Sequence, residues 1–276
     1  MDNPLSNYFR TPSIYITLPS GGIFYPNGTI DMPPNNELPV MAMTAVDEIT
    51  SRTPDALYNG SSMVNVIQSC IPNIKNAWEM PIIDLDTILI AIRIASYTHE
   101  LEIDTKCPKC SEEGSYTLDL RVINDNLKTP DYQTELNIGD LKILFKPLSY
   151  KQVNEANIIT FEKQKLTTIL EDSAISEEDK VKLLSESFNK ISELSLNTLA
   201  MNINYIQTPQ SVVREYEFIV DFLKNCELGI YEKIHEHVSN LKDGTEFEPL
   251  HIKCQQCQHE YNQPFTLDMS FFLGHD

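Results

Sequence analysis

The feature that most constrains this fold is a pair of Cys-x-x-Cys turns that lie far apart in the chain. Cys107 and Cys110 form the first turn, and Cys254 and Cys257 form the second. Each turn lies between segments that alternate apolar and polar residues, which predicts a β-hairpin, and Thr-Leu-Asp follows both turns. Two residues between cysteines let both sulfur atoms face one ion. Two such turns therefore supply the four thiolates of a tetrahedral zinc site.

Other roles for these cysteines stay open at this point. A redox Cys-x-x-Cys usually lies where a strand opens a helix, and no helical pattern follows either turn. Two disulfides are an alternative. Disulfides are rare in intracellular proteins, however, and the acidic composition of this chain is typical of an intracellular protein. His259, two residues past Cys257, is either a substitute ligand or a surface histidine. Because four thiolates leave no open coordination position, the predicted Zn²⁺ is structural rather than catalytic.

Charge argues against several classes of partner. Twenty-one basic and forty acidic residues give a net charge of −19. Such a surface repels phosphate backbones and anionic lipids, so we expect neither nucleic acid nor membrane as a partner. The N-terminus lacks the basic and apolar regions of a signal peptide, and no apolar run approaches the ~20 residues of a membrane span. These patterns predict a soluble protein made in the cytoplasm.

The distribution of proline and of apolar patterns divides the chain. Ten of the sixteen prolines fall within the first 81 residues, and proline favours extended segments and turns over long helices. We predict four segments: an extended proline-rich arm with short strands (1–43), a helical core with the first zinc knuckle (44–130), a β-hairpin with a helical insertion (131–247), and the second zinc knuckle with a C-terminal tail (248–276). The arm either adds a strand to a neighbouring subunit or wraps its own domain.

A central helix is predicted from Leu85 to Tyr97, directly before the first knuckle. Apolar residues recur in it at helical spacing, and Asp84 is its expected cap. Arg93 is its only basic residue, and if buried it needs a carboxylate partner. The candidate partners are Asp47, Glu48 and Asp55.

The remaining patterns predict an α+β fold that is mainly helical, with short β-hairpins and a four-cysteine zinc-ribbon-like module formed by the two distant knuckles. Thr44 with Asp47 is predicted to cap a helix. A short helix containing Pro54 is predicted to end at Asn59-Gly60, and Ser61 or Ser62 is predicted to cap the helix that follows. We also predict strands at 14–16 and 38–43, a hairpin around 139–140, and helices at 149–170, 176–202, 211–226 and 229–241.

No catalytic constellation is recognisable in the sequence. Gly21-Gly22 lacks the Lys-Ser/Thr ending of a phosphate-binding loop, and no Gly-x-Ser-x-Gly elbow is present. Glu232, His235, Glu236 and His237 share a helix, but they lack the His-Glu-x-x-His order of a zinc protease, and acidic helices produce such clusters by chance. We therefore expect a protein that is not an enzyme.

The first half of the chain resembles a known family, the T4-type bacteriophage baseplate proteins, which include baseplate hub assembly proteins. The likeness begins in Leu18-Pro19-Ser20-Gly21-Gly22-Ile23-Phe24-Tyr25-Pro26 and is concentrated in residues 40–122. The stretches that carry it there are 40–48, 53–60, 67–72, 84–86, 90–97 and 107–110.

This resemblance implies a structural or assembly component of a contractile-tailed phage baseplate, in the hub region, that binds other baseplate proteins. It implies a location in the virion tail after synthesis in the host, and no catalysed reaction. It does not separate a permanent virion subunit from a factor that leaves after assembly. The competing interpretation is a zinc-ribbon nucleic-acid-binding or transcription factor, which would need basic clusters near the knuckles, and these are absent.

Overall fold

The computed structural model describes residues 3–51, 60–157, 166, 176–243 and 247–267. Helices and short antiparallel sheets are mixed, as expected. The chain forms two compact units. One, called here the knuckle unit, combines Met1–Thr129 with Thr245–Asp276, and the other, the inserted unit, is Pro130–Gly244. The division into four segments stays a prediction.

The knuckle unit carries three two-stranded antiparallel sheets among its described residues, each formed by two strands that follow one another in the chain. Short 3-10 helices lie at Ser6–Tyr8, Ala77–Glu79 and Ile82–Asp84. The strands are β1 (Pro12–Ile16), β2 (Leu38–Met41), β3 (Glu100–Lys106), β4 (Glu113–Asp119), β9 (Leu250–Lys253) and β10 (Glu260–Gln263), and the α-helices are α1 (Ala45–Ser51), α2 (Ser61–Cys70), α3 (Leu85–Ser96) and α4 (Leu120–Asp125).

Helix α3 forms the centre of this unit, which confirms the prediction of a core helix. Six consecutive residues, Thr87 to Ile92, are buried, so the helix is covered on all sides. Ile90 packs with Leu101 of β3, Leu120 of α4 and Phe265, which follows β10. Burying an aliphatic side chain of this size stabilises a fold by about 1.5–3 kcal/mol. The same cluster therefore holds both knuckle hairpins against the core helix.

The N-terminal arm lies on its own unit from Arg10 to Ser20. Strand β1 pairs with β2, whose Leu38 and Val40 are fully buried. The Arg10 guanidinium donates to the carbonyl oxygen of Ala42 at 2.7 Å and to Asp47 at 3.0 Å. This part of the arm wraps its own domain, which was one of the two alternatives.

A second contact fastens the arm at Asp84, which occupies the N-cap position of α3 as predicted but does not use its side chain there. Its carboxylate is fully buried and instead accepts hydrogen bonds from the Ser20 N–H at 2.8 Å and from the Ser20 hydroxyl at 2.6 Å. The next turn requires glycine at Gly22, because φ is +80° and a Cβ there would lie 2.8 Å from Met32 Cγ.

Arg93 differs from expectation as well. Asp47, one of its three candidate partners, is bound to Arg10 instead, and Asp55 lies outside the described residues. The Arg93 guanidinium lies over the Tyr97 ring, 4.5 Å from its centroid. Within the described part of the chain, Arg93 Nε and Nη1 have no hydrogen-bond partner. Among the described residues a cation–π contact with Tyr97 thus takes the place of an ion pair with Asp47, and a pair with Asp55 stays a prediction.

The inserted unit contains one four-stranded antiparallel sheet among its described residues, in the order β5 (Leu136–Ile138), β6 (Leu141–Phe145), β7 (Ile203–Gln207) and β8 (Val212–Val213). The expected hairpin around Gly139 is present as β5–β6. Its extension by β7 and β8 was not predicted, and the expected helix at 211–226 begins only at Tyr216. The helices of this unit are one at 150–157, α5 (Glu177–Met201), α6 (Tyr216–Asn225) and α7 (Leu228–Asp243).

Two of the predicted helix caps are confirmed by side-chain hydrogen bonds. Thr44 and Asp47 cap α1 reciprocally, with the Thr44 N–H donating to Asp47 at 2.7 Å and the Asp47 N–H donating to Thr44 Oγ1 at 3.2 Å. Ser176 caps α5 in the expected way. The N-cap of α2 is Gly60 rather than Ser61 or Ser62, since the helix begins at Ser61 itself.

Two expectations fall outside the described residues: the short helix containing Pro54, and the continuation of the helix at 150–157 towards residue 170. Among the residues that are described, no helix is long and apolar enough to cross a membrane.

The Ser20–Asp84 contact predicts how stability changes with pH. Burial raises the pKa of Asp84 to about 6, although the hydrogen bonds from Ser20 oppose this, whereas an unfolded aspartate titrates near 3.9. The folded protein thus binds more protons between about pH 4 and 6, so its free energy of unfolding should fall as pH rises through this window. The loss from pH 5 to pH 7 is about 1 kcal/mol for this one group.

Urea unfolding at pH 5, 6 and 7 measures this effect. Asp84→Asn removes the titration and should flatten the slope relative to the unmodified protein. Ser20→Ala removes one hydrogen bond to the charged form, so it should raise the pKa of Asp84 and move the loss of stability to higher pH. An unchanged slope in Asp84→Asn would contradict the assignment.

Candidate metal centre

The first knuckle is a tight turn between β3 and β4. The Cys107 N–H donates to the Glu112 carbonyl oxygen at 2.8 Å, and the Ser111 N–H donates to the Cys107 carbonyl oxygen at 2.9 Å. These two bonds close the turn and place Cys107 and Cys110 on it. Ser111 has a left-handed backbone with φ of 60°, which an L-residue adopts only at a cost of about 1–2 kcal/mol.

The second knuckle, between β9 and β10, repeats this geometry. The Cys254 N–H donates to the His259 carbonyl oxygen at 2.9 Å, and the Gln258 N–H donates to the Cys254 carbonyl oxygen at 3.0 Å. Gln258 is left-handed at φ of 57°, in the position that corresponds to Ser111. The two turns therefore share one backbone conformation, as their similar sequences predict.

The structure brings the four cysteine sulfur atoms of the two turns together. All four Sγ atoms lie within 4.8 Å of one another. Across the two knuckles, Cys107 Sγ lies 3.7 Å from Cys257 Sγ, and Cys110 Sγ lies 3.6 Å from Cys254 Sγ. Four thiolates at the usual Zn–S distance in a tetrahedron would be about 3.8 Å apart. A disulfide would need about 2.0 Å. The arrangement is thus compatible with a tetrahedral metal site.

The cysteines occupy matched environments. In each turn the first cysteine, Cys107 or Cys254, is only 2% exposed, whereas the second, Cys110 or Cys257, lies nearer the surface. Burial raises the pKa of the Cys107 thiol, but N–H groups of Cys110 and Lys109 and the adjacent sulfurs outweigh it and lower that pKa to about 7.

Cys110 shows the opposite tendency. The Glu112 N–H lowers the pKa of the Cys110 thiol, but burial and the three neighbouring sulfurs raise it to about 12. Four sulfurs this close cannot all carry a negative charge unless a cation compensates them. The set of donors is therefore suited to a divalent, thiolate-preferring ion such as Zn²⁺.

Contacts between the hairpins surround this cluster. The hydroxyl groups of Thr105 in β3 and Tyr261 in β10 are 2.7 Å apart. The Tyr116 hydroxyl donates to the Lys253 carbonyl oxygen at 3.3 Å. These bonds join one hairpin to the other independently of the cysteines.

Each knuckle also has a lysine–glutamate pair at its base. Lys106 Nζ lies 3.4 Å from a Glu113 carboxylate oxygen, and Lys253 Nζ lies 3.6 Å from one of Glu260. The sequence carries a signal for this pair, since both turns read Lys-Cys-x-x-Cys-x-x-Glu. Sequence reasoning recognised the cysteines but missed the flanking pair.

The other candidate ligands lie elsewhere. His259 is not part of the sulfur cluster, and its ring stacks on Tyr261 with 6.3 Å between centroids. Cys70 is buried, and burial raises the pKa of its thiol to about 12. Cys226 is half-buried. Among the described residues the four cysteines are the only group of three or more potential metal ligands that come together.

The histidines of α7 are not brought into a metal site by the described structure. The His237 ring packs on Phe145, 4.7 Å between centroids, and burial lowers its pKa. The His235 ring lies beside Tyr231, 6.1 Å between centroids. Both histidines therefore contact aromatic rings within the inserted unit.

Comparison with known proteins identifies the family. A family model described as T4 bacteriophage base plate protein matches residues 32–273. The chain belongs to this baseplate family. The match covers most of the chain and includes both knuckles and the inserted unit, which extends the resemblance beyond residues 40–122. No curated protein and no solved structure gives a significant match.

The sulfur cluster predicts that the purified protein contains one equivalent of zinc. Cys107→Ser and Cys254→Ser should each lose it, because three thiolates and a hydroxyl bind Zn²⁺ less tightly than four thiolates. A loss of ~2 kcal/mol in the free energy of unfolding lowers the Tm of a domain of this size by roughly 4–8 °C. We therefore expect the loss of zinc to lower Tm by at least about 5 °C. Atomic absorption and thermal unfolding measure both effects.

Cys226→Ser is the matched control, because it removes a half-buried thiol that lies outside the cluster. It should keep the zinc and shift Tm much less. Zinc lost from Cys107→Ser without a change in Tm or in circular dichroism would contradict a structural role for the metal.

Proposed function

We propose that this protein is a non-enzymatic structural or assembly component of a contractile-tailed phage baseplate, in the hub region. It acts through contacts with other baseplate proteins and contains a structural Zn²⁺ bound by Cys107, Cys110, Cys254 and Cys257. The observation that carries the proposal is the match of the baseplate family to residues 32–273.

The zinc would fasten the two chain segments between which the inserted unit is placed. The chain leaves the knuckle unit after Thr129 and returns at Thr245. Near this crossing Lys128 Nζ lies 2.7 Å from a Glu248 carboxylate oxygen, but an exposed ion pair of this kind contributes only about 0–1 kcal/mol. In small peptides, structural zinc provides on the order of 10 kcal/mol. The metal is therefore the stronger of these two links.

A non-enzymatic role is supported by the chemistry of the cluster and by the family. Four thiolates would complete the coordination of Zn²⁺ and leave no position for a reacting water molecule or substrate. The baseplate family is a structural one. Bound zinc would supply a coordination link between the two knuckles, while the hairpin hydrogen bonds orient the four sulfur atoms.

The charge around the knuckles argues against the competing nucleic-acid-binding function. Lys106 and Lys253 are each paired with a glutamate, which leaves their charge partly compensated. Binding to phosphates depends on uncompensated Lys and Arg, and the whole chain has a net charge of −19. The zinc-ribbon-like module is therefore proposed to bind protein, or to support a neighbouring surface that does.

A location in the virion tail after synthesis in the host follows from the same proposal. Other tail and baseplate proteins are the expected partners, and the N-terminal arm is the element that we propose contacts a neighbouring subunit. Its exposed aromatic residues Tyr8, Phe9 and Tyr15 are of the kind that is enriched in protein–protein interfaces.

Quantitative mass spectrometry of purified phage particles tests the proposal. We expect the protein at a fixed copy number per particle, equal to or a multiple of that of other baseplate proteins. Its presence only in baseplate intermediates from infected cells would identify an assembly factor instead. Its absence from both particles and intermediates would contradict a baseplate function.

Salt-dependent DNA binding separates the two functional classes. At about 0.15 M salt we expect no measurable retention of the zinc-containing protein on double- or single-stranded DNA, because its acidic surface repels phosphates. Fluorescence anisotropy with a labelled oligonucleotide measures this. Binding that weakens steeply as salt increases would favour the nucleic-acid-binding function.

A further inference from the structure

Exposed apolar side chains of the knuckle unit are concentrated near its N-terminus. Among the described residues of this unit, seven of the nine large apolar side chains that are exposed come from residues 5–49. Contiguous exposed apolar surface commonly marks a protein-binding site, whereas single exposed side chains need no explanation. The seven are Leu5, Tyr8, Phe9, Tyr15, Ile23, Val46 and Ile49.

Three of these side chains belong to one short turn, called here the anchor turn, at residues 5–9. Its backbone is closed by hydrogen bonds from the Tyr8 N–H to the Leu5 carbonyl oxygen at 2.9 Å and from the Phe9 N–H to the Ser6 carbonyl oxygen at 3.2 Å. No residue of the 3-10 helix Ser6–Tyr8 is buried, and Tyr8 is 84% exposed. The anchor turn thus has a defined backbone and free side chains.

Arg10 fixes the base of this turn. Its guanidinium donates to Ala42 and Asp47, and also to the Ser69 carbonyl oxygen at 2.8 Å and the Ser69 hydroxyl at 2.7 Å. A charged group with this many partners holds the chain in one position. A turn that is already ordered loses less conformational entropy when it binds a partner.

Helix α1 adds a second apolar group next to the same ion pair. Val46 and Ile49 are both 70% exposed, and at a spacing of three residues they share one helix face. Phe9 and Val46 are the chain neighbours of Arg10 and Asp47, whose side chains lie 3.0 Å apart, so this ion pair links the anchor turn to α1. An ion pair of this length keeps the two segments close enough to contact one partner.

We propose that the anchor turn and the exposed face of α1 together bind an apolar groove with a basic rim on a different baseplate protein. This inference rests on the proposed baseplate function and names the surface and its partner. Tyr and Phe are typical binding anchors, because they bury a large area with few rotatable bonds. They would enter the groove, while Val46 and Ile49 pack at its edge.

Charge decides between a different protein and a second copy of this chain. Arg10 is the only basic residue in the first 51 and is paired with Asp47, and Asp31 is paired with Lys75 from outside that range. Two copies would bring together two chains that each have a net charge of −19. A partner with lysine or arginine around the groove would instead be attracted.

The binding mode follows from the arm's own contacts. Strand β1 already uses one edge to pair with β2, and Arg10 and Ser20 fasten the chain on both sides of it. The part of the arm before Arg10 has the exposed aromatic side chains Tyr8 and Phe9 next to one another. We therefore assign the contact to the anchor turn rather than to strand addition at the edge of β1 that faces away from β2.

Pairwise binding to each purified baseplate protein of the same phage tests the proposal, with biolayer interferometry on the full-length, zinc-containing chain. We expect one partner, bound at least tenfold more weakly by Tyr8→Ser/Phe9→Ser and severalfold more weakly by Val46→Gln/Ile49→Gln. Binding should also weaken as NaCl is raised from 0.05 to 0.5 M, owing to the basic rim. The matched control is Val181→Gln/Phe188→Ser, which changes two similarly exposed apolar side chains of α5 and should keep affinity within twofold.

Several outcomes would overturn the proposal. One is a partner that binds Tyr8→Ser/Phe9→Ser as tightly as the unmodified chain, while thermal unfolding shows all variants folded. Another is a dimer in sedimentation equilibrium that this double variant dissociates, since the surface would then bind a second copy. If the protein occurs in phage particles but its incorporation is unaffected by Tyr8→Ser/Phe9→Ser, the baseplate function stands and only this surface assignment fails. If it is absent from particles and intermediates, both fail.

Discussion

The knuckle unit depends on the meeting of four sulfur atoms from two turns that are remote in sequence. The Cys107–Cys257 and Cys110–Cys254 distances of 3.7 and 3.6 Å pair each knuckle with the other, and the buried cluster around Ile90 packs behind both hairpins. Without a cation these sulfurs would compete for protons, as the raised pKa of Cys110 shows. A structural zinc ion would compensate the negative charge of the four thiolates and would be the strongest link in the unit.

A second set of polar contacts gives the N-terminal arm its position. Arg10 and Ser20 each bind a carboxylate, Asp47 and Asp84, and these lie near the beginnings of α1 and α3. Such buried or half-buried charges are costly unless they are paired, so they hold the arm in one register. The arm is therefore an ordered part of the knuckle unit, and the surface it offers to partners is limited to what these contacts leave exposed.

Local sequence patterns were sufficient wherever the determining interaction is local. The periodicity of residues 85–96 predicted α3, the Thr44–Asp47 and Ser176 signals predicted helix caps, and the spacing of the cysteines predicted two similar turns. They failed where another partner competes with the expected one. Val212 and Val213 form a strand because a short turn at Thr208–Ser211 pairs them with β7, and Asp84 makes no side-chain cap because Ser20, 64 positions away, offers it two donors.

The sequence by itself determined the candidate metal ligands, the mixed helical and hairpin architecture, the acidic surface and the family resemblance, since each depends on residue type and short spacing. Only the tertiary structure decided that the four sulfurs converge, that Asp47 binds Arg10 rather than Arg93, and that the exposed apolar residues cluster near the N-terminus. The physical reason is that partner choice and exposure depend on contacts between residues dozens of positions apart. A local pattern restricts such contacts, but the packed chain selects among them.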